Sequence, residues 1–280
     1  MECIARQIRC DIIKMVHAAG SGHLGSSLSA VEIVTALYFS VMNIDPARPH
    51  WRERDRFILS KGHACPVLYA ALARRGYFPV EELATLRRIN SRLQGHPDMN
   101  KTPGVDMTSG SLGNGLSCGA GMALVAKLDA LPSCVYVLLG DGELQEGIVW
   151  EAAMTAAHYK LDNLCAIIDN NGLQLDGYTS DVMDINPVAD KWRAFRWNTI
   201  AVDGHDLDAL VRTLELANQT KGRPTVIIAD TTKGKGVSFM EDQCDWHGRC
   251  PTDEEAKQAI RESVDPSRYD TWRDQSEQAS

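Results

Sequence analysis

The 280-residue chain carries 37 acidic and 29 basic side chains, for a formal net charge of -8, and 44% of its residues are apolar. This apolar content suffices for one large core, and the acidic balance, without any basic run, excludes nucleic acid as a default partner. Charged residues near the start argue against a secretory signal. No stretch approaches about 18 uncharged apolar residues, so we expect a cytoplasmic protein that does not enter a membrane. Eight cysteines without a Cys-x-x-Cys pair indicate neither a zinc site nor a redox motif.

Helices dominate the first third of the predicted structure. Apolar residues recur at helical spacing over residues 2–18, 30–42, 64–75 and 80–88. Ser29, three residues before Glu32, is typical of a capping box that opens the second of these helices. Between the first two helices we expect a glycine-rich loop over residues 19–27.

Further along the chain, short apolar runs alternate with helical segments. The runs predict strands over residues 56–60, 134–139, 164–168, 198–202 and 225–229. Further helices are expected over residues 117–127, 146–159, 207–218 and 253–262. Asp206 is the expected N-cap of the helix that begins at residue 207. The segment 93–112 is a long loop rich in glycine, proline, threonine and serine, and loops of such length are more often functional than idle.

The unit over residues 134–168 decides the fold class. Its strand, helix and strand follow one another closely, so the two strands should be parallel with a right-handed crossover. The repeated alternation predicts an α/β fold, a doubly wound parallel sheet with helices on both faces. We expect one domain over residues 1–265 and a polar, mobile tail over 266–280. Ligands of such sheets bind at the carboxyl ends of the strands, where Asp141 and Asn171 fall.

Asp141 and Asn171 offer hard oxygen ligands at two neighbouring strand ends. A carboxylate and an amide oxygen suit Mg²⁺ or Ca²⁺, which take further oxygens from phosphates and water. Gly140 and Gly142 flank Asp141 and allow the backbone to approach a phosphate closely, with the Gly142 N–H facing it. Gly-Asp-Gly alone is more typical of a simple turn. Together with Asn170-Asn171 at the end of the next strand, it indicates a metal–diphosphate site.

The same two segments resemble those of a known family. Gly140-Asp141-Gly142, followed after 27 residues by Asn170-Asn171, resembles the thiamine-diphosphate-binding motif. Within that superfamily the sequence is similar to the N-terminal half of transketolase over residues 5–262. The resemblance implies the thiamine-diphosphate-binding fold, in which this chain is the diphosphate-binding domain. It also implies that Mg²⁺, with Ca²⁺ or Mn²⁺ as substitutes, is held by Asp141, Asn171 and the backbone carbonyl of Leu173.

Three histidines follow glycines in loops, namely His23, His63 and His96. His247, in Trp246-His247-Gly248, is a weaker case of the same kind. A single loop histidine is usually a surface residue. Several of them together indicate a polar active-site rim, in which neutral imidazoles stabilise oxyanions and move protons near neutral pH.

The family resemblance implies roles for these loops. His23 and His247 would contact the substrate and assist proton transfer. His63 would lie beside the cofactor, which His247 would also reach, and His96 would line the donor-sugar channel. Backbone contacts to the cofactor would come from Gly110, Ser111, Leu112 and Gly142.

Glu146 and His205 each admit a structural interpretation. In the family, the position of Glu146 lies near a subunit interface, in a carboxylate network that links two active sites. From the residue alone, a solvated glutamate in the first turn of a helix, stabilised by the helix dipole, is equally consistent. We interpret His205 as a loop histidine that stabilises the turn before a helix.

Two departures from the family concern the substrate. Leu24 stands where long transketolases have proline, and residues 110–114 stand where they have Gly-Pro-Leu-Gly-Gln. The glycine scaffold is kept, so the cofactor site should be intact while the sugar preference stays open. Leu24 also resembles the Gly-His-Leu of deoxyxylulose-phosphate synthase, whereas residues 60–64 resemble transketolase.

A larger departure concerns the second half of the family's site. There, the glutamate that protonates the cofactor's aminopyrimidine lies in a pyrimidine-binding domain, which we do not find in this sequence. We therefore expect the N-terminal subunit of a split transketolase, active only with a C-terminal partner subunit in a two-fold symmetric heterotetramer. The assembly would transfer a two-carbon ketol unit from a ketose phosphate to an aldose phosphate.

Several alternatives are left open. They are ketol transfer on a specialised sugar or sulfo-sugar, synthase-like chemistry, and a non-catalytic scaffold that kept the fold. Asp141, Asn171 and the loop histidines speak against the scaffold, since a module released from catalysis need not keep them. Gly-Asp-Gly would also fit a Mg²⁺-dependent phosphatase or NTPase, but no Walker-type motif supports a P-loop version.

Overall fold

Five parallel strands form one sheet in the computed structural model, which describes residues 1–264. The strands are β1 (Arg56–Leu59), β2 (Val135–Gly140), β3 (Leu164–Asn170), β4 (Asn198–Asp203) and β5 (Thr225–Asp230). They lie in the order β1-β2-β3-β5-β4, and every neighbouring pair is parallel. The chain therefore reverses its direction across the sheet after β4, and β5 enters between β3 and β4.

Ten α-helices accompany the sheet in the described part of the chain. They are α1 (Glu2–Ala19), α2 (Leu24–Leu28), α3 (Val31–Ala36), α4 (Cys65–Arg75), α5 (Asn114–Leu128), α6 (Gly147–His158), α7 (Thr179–Val182), α8 (Val188–Ala194), α9 (Leu207–Gln219) and α10 (Asp253–Val264). Short 3₁₀ turns occur at Gly62–Ala64, Val80–Thr85, Gly142–Gln145 and Cys244–His247. None of these helices is long and apolar enough to span a bilayer.

The helices pack on both faces of the sheet. Phe57 and Tyr136 point into a core shared with α1 to α4, α9 and α10, whereas Ile58 and Val137 point into a second core shared with α5, α6 and α8. Successive residues of a strand face opposite sides, so strands covered on both sides have continuous apolar runs. The predicted α/β fold, a parallel sheet with helices on both faces, is confirmed.

The predicted capping box at Ser29 is wrong. Ala30 is the N-cap of α3, and no side chain caps that helix. Ser29 Oγ donates to the buried carboxylate of Asp169 at 2.5 Å, and the Glu32 carboxylate accepts from Arg9 at 2.5 Å. Both side chains of the motif are engaged in tertiary contacts, which a local pattern cannot reveal.

Three boundaries differ from the predicted elements. The end of the expected loop 19–27 is helical, because α2 packs on the core and buries Leu24 and Leu28 fully. The expected helix 30–42 is divided into α3 and a π-helical turn, Leu37–Val41. The expected helix 80–88 is only the 3₁₀ turn Val80–Thr85. The predicted tail 266–280 lies outside the described residues.

The strand register brings the functional loops together. Gly140 of β2 pairs with Asp169 of β3, and Asn170 pairs with Asp230 of β5. Parallel strands end at the same edge, so the loops after β2, β3 and β5 begin side by side there. Asp206 caps α9 as predicted, since its carboxylate accepts the Ala209 N–H at 2.9 Å.

Candidate functional site

A cavity of ≈ 280 Å³ lies at the carboxyl edge of the sheet, among the loops that follow β1, β2, β3 and β5. Its lining includes eight predicted site residues: His63, Leu112, Asp141, Gly142, Glu146, Asn171, Leu173 and His247. Gly140, which the sequence places beside a phosphate, also lines the cavity. The rest of the lining was not assigned from the sequence: Ser26, Lys61, Glu143, Gln145, Gln174, Leu175 and Lys233. The structure therefore brings the predicted metal ligands and two of the predicted histidines to one place.

Asp141 is tied to the segment after β3 by backbone hydrogen bonds. Its carboxylate accepts the N–H of Gly142 at 2.8 Å and that of Gly172 at 2.5 Å. Asn171 Oδ1 accepts the N–H of Leu173 at 3.1 Å. Gly172, at φ 74, adopts a left-handed conformation that glycine tolerates well, and this turn brings Asn171 and Leu173 beside Asp141.

Two buried side chains of opposite charge, Asp141 and Lys233, lie near this turn. Asp141 is 2% exposed, and burial, followed by the charge of Asp169, raises its pKa to about 6. Lys233 is also buried, which lowers its pKa to about 8 despite the attraction of Asp141. Lys233 Nζ donates to the Leu173 carbonyl at 3.1 Å and lies 2.9 Å from His247 Nδ1. The cavity thus contains a cation beside the carbonyl predicted to bind a metal.

Asp169 and Lys61 form a buried ion pair at the same edge. Asp169 is inaccessible to solvent and accepts hydrogen bonds from Lys61 Nζ, Ser29 Oγ and Thr231 Oγ1. Burial alone would raise the pKa of Asp169, but the charge of Lys61 and these hydrogen bonds hold it below its ordinary value. Lys61 also donates to the Ser26 carbonyl at 2.8 Å. The pair connects the ends of β1 and β3 with α2.

Glu143 makes a comparable connection next to Asp141. One carboxylate oxygen accepts the Ser60 hydroxyl and, at 2.7 Å, the Gly113 N–H, and the other accepts the Gly140 N–H at 3.1 Å. These bonds hold the ends of β1 and β2 against the start of α5. Glu146, by contrast, is exposed at the start of α6 and makes no side-chain capping bond there. Both interpretations of Glu146 stay predictions.

His23, His63 and His247 form a cluster of rings at the rim of the cavity. Ring centroids are 5.1 Å apart for His23 and His63, 5.5 Å for His23 and His247, and 5.1 Å for His63 and His247. Burial, followed by neighbouring positive charges, lowers their pKa values to about 4, about 2 and about 3 respectively. All three rings are therefore neutral near pH 7, so each has one N–H donor and one acceptor nitrogen.

His96 contacts the loop that precedes α5. A Cβ at Gly110 would lie 3.3 Å from Cδ2 of His96, so the imidazole packs on this glycine. Burial, followed by the charge of Arg87, lowers the pKa of His96. Leu112 lines the cavity, and Gly110 and Ser111 are exposed next to it in the chain.

The donor set fits a hard divalent cation with an anionic ligand. Asp141, Asn171 and Leu173 offer a carboxylate, an amide and a carbonyl oxygen, and Mg²⁺ takes its further oxygens from phosphate and water. Ser26 also lines this cavity, and its buried hydroxyl has no hydrogen-bond partner in the described residues. An orphaned buried hydroxyl needs a polar partner, which a bound diphosphate would provide. Residues 1–264 contain no cluster of three His, Cys, Asp or Glu that could hold a metal alone.

Lys61 and Lys233 are the main candidates that sequence reasoning missed. Each is 1% exposed, and lysine is almost never fully buried unless it is paired. The available signal was a lysine before glycine just after a strand, since Lys61 follows β1 and Lys233 follows β5. Position alone did not show that the two ammonium groups converge.

A second cleft, of ≈ 490 Å³, lies between the start of α1 and the turn after β4. There, His205 Nε2 accepts the Thr232 N–H at 2.8 Å, and Nδ1 lies 3.0 Å from Glu32. Arg9 donates to the same carboxylate at 2.5 Å. These groups satisfy one another, which agrees with the interpretation of His205 as structural and leaves the smaller cavity as the candidate site.

Comparisons with known proteins identify the family. The family model described as "Transketolase, thiamine diphosphate binding domain" matches residues 2–270. The chain is 48% identical over 258 residues to the 6-deoxy-6-sulfo-D-fructose transketolase subunit SqwG of Clostridium sp. (strain MSTE9), covering 92% of this chain and 94% of that protein. It is 45% identical over 266 residues to one subunit of the apulose-4-phosphate transketolase of Actinobacillus succinogenes, covering 95% of this chain and 96% of that protein.

A solved structure shares the fold. The transketolase of Pichia stipitis in complex with sedoheptulose-7-phosphate matches with a TM-score of 0.88 at 33% identity, over 94% of this chain and 40% of that chain. The family match includes every residue of the cavity, from Ser26 to His247. The chain belongs to the transketolase family, as its thiamine-diphosphate-binding domain.

Proposed function

We propose that this chain is the N-terminal subunit of a split, thiamine-diphosphate-dependent transketolase. With a C-terminal partner subunit it transfers a two-carbon ketol unit from a ketose phosphate to an aldose phosphate. The observation that supports this most directly is the composition of the ≈ 280 Å³ cavity. Hard oxygen ligands, two buried ammonium groups and neutral histidines meet there, at the edge where doubly wound sheets bind ligands.

In this proposal, the chain holds Mg²⁺ through Asp141, Asn171 and the Leu173 carbonyl. Lys233 and Ser26 line the same cavity, and the ammonium group and the unpartnered hydroxyl would bind oxygens of the cofactor diphosphate. A carbonyl oxygen has two lone pairs, so Leu173 can accept from Lys233 and bind the metal at once.

The glycine loops complete the cofactor contacts in this proposal. The Gly142 N–H donates to Asp141 here, and its expected contact with the diphosphate requires that carboxylate to turn toward the metal. Gly110, Ser111 and Leu112 approach the cofactor through their backbone, and His63 and His247 approach it from the rim.

Thiamine diphosphate, when bound, supplies the nucleophilic carbon for cleaving and forming the carbon–carbon bond. The histidines of this chain act on the sugar oxygens. His23 and His247, both neutral, contact the carbonyl and hydroxyl oxygens that change charge and assist proton transfer there. His96 lines the donor-sugar channel, and Glu146 joins a carboxylate network with the partner.

The partner subunit supplies the pyrimidine-binding domain. The coverage of the relatives supports this division, since this chain spans 94% and 96% of two proteins named as subunits but 40% of the Pichia stipitis transketolase chain. A cofactor held between two chains favours a two-fold symmetric heterotetramer. We place this assembly in the cytoplasm.

The test is a coupled transketolase assay with Mg²⁺, thiamine diphosphate, a xylulose-phosphate donor and a ribose-phosphate acceptor. This chain is assayed alone and together with the product of the neighbouring reading frame. Turnover only in the mixture supports the split enzyme, and turnover by the chain alone contradicts it. A mixture that does not bind thiamine diphosphate would favour the non-catalytic scaffold.

Asp141→Asn tests the metal site in the same mixture. The change removes the only carboxylate of the proposed ligand set, so Mg²⁺ and thiamine diphosphate should bind more weakly together, as measured by titration calorimetry. Asp190→Asn, on the exposed surface of α8, is the matched control. Unchanged cofactor affinity in Asp141→Asn would refute this role.

A second candidate is ketol transfer on a specialised sugar. It is favoured by the names of the two relatives, which refer to 6-deoxy-6-sulfo-D-fructose and apulose-4-phosphate. Leu24, which departs from long transketolases, directly follows His23 in the chain, and its own side chain is buried in the core beneath the rim. Turnover of a sulfo-sugar or of apulose-4-phosphate, with little turnover of the pentose phosphates, would select this candidate.

A further inference from the structure

Arg87 lies beside the histidine rim, just after the 3₁₀ turn Val80–Thr85. Its backbone is left-handed, at φ 58, and its N–H donates to the Leu93 carbonyl at 2.8 Å. This bond closes the loop that leads to His96. Five other non-glycine residues in the described part of the chain also have positive φ, so the backbone alone identifies no function. The surroundings of the side chain are more informative.

The guanidinium of Arg87 is held in one place. The guanidinium packs closely on Gly95. A Cβ at that position would lie 3.1 Å from Nε and 3.2 Å from Nη2 of Arg87. Nη1 donates to Ser21 Oγ at 3.0 Å, and Nη2 lies 3.5 Å from Nδ1 of His23. Within residues 1–264 these are its side-chain hydrogen bonds, and neither goes to a carboxylate.

We propose that Arg87 is a positioning residue that fixes His23 in the tautomer with its proton on Nε2. A guanidinium can only donate hydrogen bonds. An N–H directed at Nδ1 from 3.5 Å repels a second N–H there, so Nδ1 keeps its lone pair. Burial and the charge of Arg87 lower the pKa of His23 to about 4, which keeps the ring neutral. Its single proton is therefore on Nε2.

This tautomer decides what His23 offers to a substrate. Ser27 Oγ donates to the His23 carbonyl at 2.6 Å and holds the backbone, and the rings of His63 and His247 flank the imidazole. Nε2 has no hydrogen-bond partner in the part of the chain that the structure describes. With Nδ1 facing Arg87, His23 presents a donor and no acceptor.

The role of this donor rests on the proposed function. In ketol transfer the carbonyl oxygen of the acceptor aldehyde gains negative charge as the new carbon–carbon bond forms. A fixed Nε2–H stabilises that oxygen without a reorientation step. The opposite tautomer would direct a lone pair at the oxygen and repel it.

The test compares three variants of the full chain, alone and with its partner subunit. Arg87→Met keeps the length of the side chain and removes all donors. Arg87→Lys keeps a charged donor, and Arg88→Met removes the exposed neighbouring arginine as the matched control. Imidazole ¹⁵N shifts report the tautomer, and the signals of His23 are those that disappear in His23→Gln.

We expect wild type, Arg87→Lys and Arg88→Met to show a protonated Nε2 and an unprotonated Nδ1. In Arg87→Met both shifts should move toward a mixture of tautomers. The kcat of ketol transfer in the mixture should fall about tenfold, with KM changed less than about twofold, because the oriented N–H acts on an oxygen that gains charge only as the bond forms.

An unchanged tautomer in Arg87→Met overturns the proposal, as does a changed tautomer with unchanged kcat. If Arg87→Met does not fold, Ser21→Ala is the test variant. It removes the hydrogen bond from Arg87 Nη1 to Ser21 Oγ and should produce a partial mixture of His23 tautomers. An unchanged tautomer there counts against the proposal. A wild-type mixture without ketol transfer, in which the tautomer still depends on Arg87, refutes the proposed function and retains the positioning role.

Discussion

The neutral state of His63 makes the cofactor-free chain sensitive to acid. His63 follows β1 in the turn Gly62–Ala64, and burial, followed by the charge of Lys61, lowers its pKa to about 2. In the unfolded chain an imidazole has a pKa of about 6.5. Because the folded value is the lower one, the stability contributed by this group is complete above a pH of about 6.5. It is lost progressively as the pH falls from there toward about 2.

The size of the effect follows from the distance between assay pH and unfolded pKa. At pH 5 the imidazole of His63 is protonated in the unfolded chain and neutral in the folded chain. The pH lies about 1.5 units below the unfolded pKa, and at about 1.36 kcal/mol per unit the loss of unfolding free energy is about 2 kcal/mol. Residual solvent contact around His63 reduces this to roughly 1–2 kcal/mol. His63→Gln removes the titrating group. Between pH 7 and pH 5 the wild type should therefore lose roughly 1–2 kcal/mol more unfolding free energy than the variant.

Urea unfolding followed by tryptophan fluorescence at pH 7, 6 and 5 measures this difference. With an m value of about 3 kcal/mol/M, the wild-type midpoint should fall by about 0.5 M more than that of His63→Gln. His158→Gln, which removes an exposed imidazole at the end of α6, is the matched control and should behave as wild type. Equal losses in wild type and His63→Gln would show that His63 takes up its proton in the folded chain, and the argument for neutral rim histidines would fail.

Two further predictions concern packing and the anion site. Gly119→Ala should lower stability by about 1–3 kcal/mol in thermal denaturation, because its Cβ would lie 2.5 Å from Cγ2 of Val137. Gly121→Ala, in the same helix with nothing within 4 Å, should raise it by about 0.5–1 kcal/mol, and a shift of the same sign in both variants would contradict the packing of α5 on β2. Lys233→Met should weaken thiamine diphosphate binding roughly 10- to 100-fold in calorimetry, since a buried charged donor is lost, while surface Lys221→Met should not. If Lys233→Met binds thiamine diphosphate with wild-type affinity, Lys233 does not contact the cofactor.

Much of the fold could be predicted from local patterns. Strands covered on both faces have continuous apolar runs, so the expected strand 164–168 lies within β3, and the alternation with helices predicted the parallel sheet. The position of Asp141 and Asn171 at one edge followed from that topology, because parallel strands end on the same side. In the structure, both residues line the cavity.

Contacts between distant segments could not be predicted in this way. Ser29 matched a local helix signal, but its hydroxyl partner is Asp169, 140 residues further along. Lys61 and Lys233 resembled ordinary loop lysines, since only the assembled sheet brings their ammonium groups into one cavity. The position of β5 between β3 and β4 has no local sequence signal either, because strand order depends on which helices cover which face.

The position of β5 has a consequence for synthesis on the ribosome. β4 pairs with β5 and with no other strand of the described sheet, although β5 is made later. While residues 204–224 emerge, β3 has one open edge and β4 has two. Unpaired edges are templates for association with other chains. Nascent chains halted before residue 225 should therefore be the most prone to aggregate. Release of β5 should close the open edge of β3 and one of the two edges of β4 in one step.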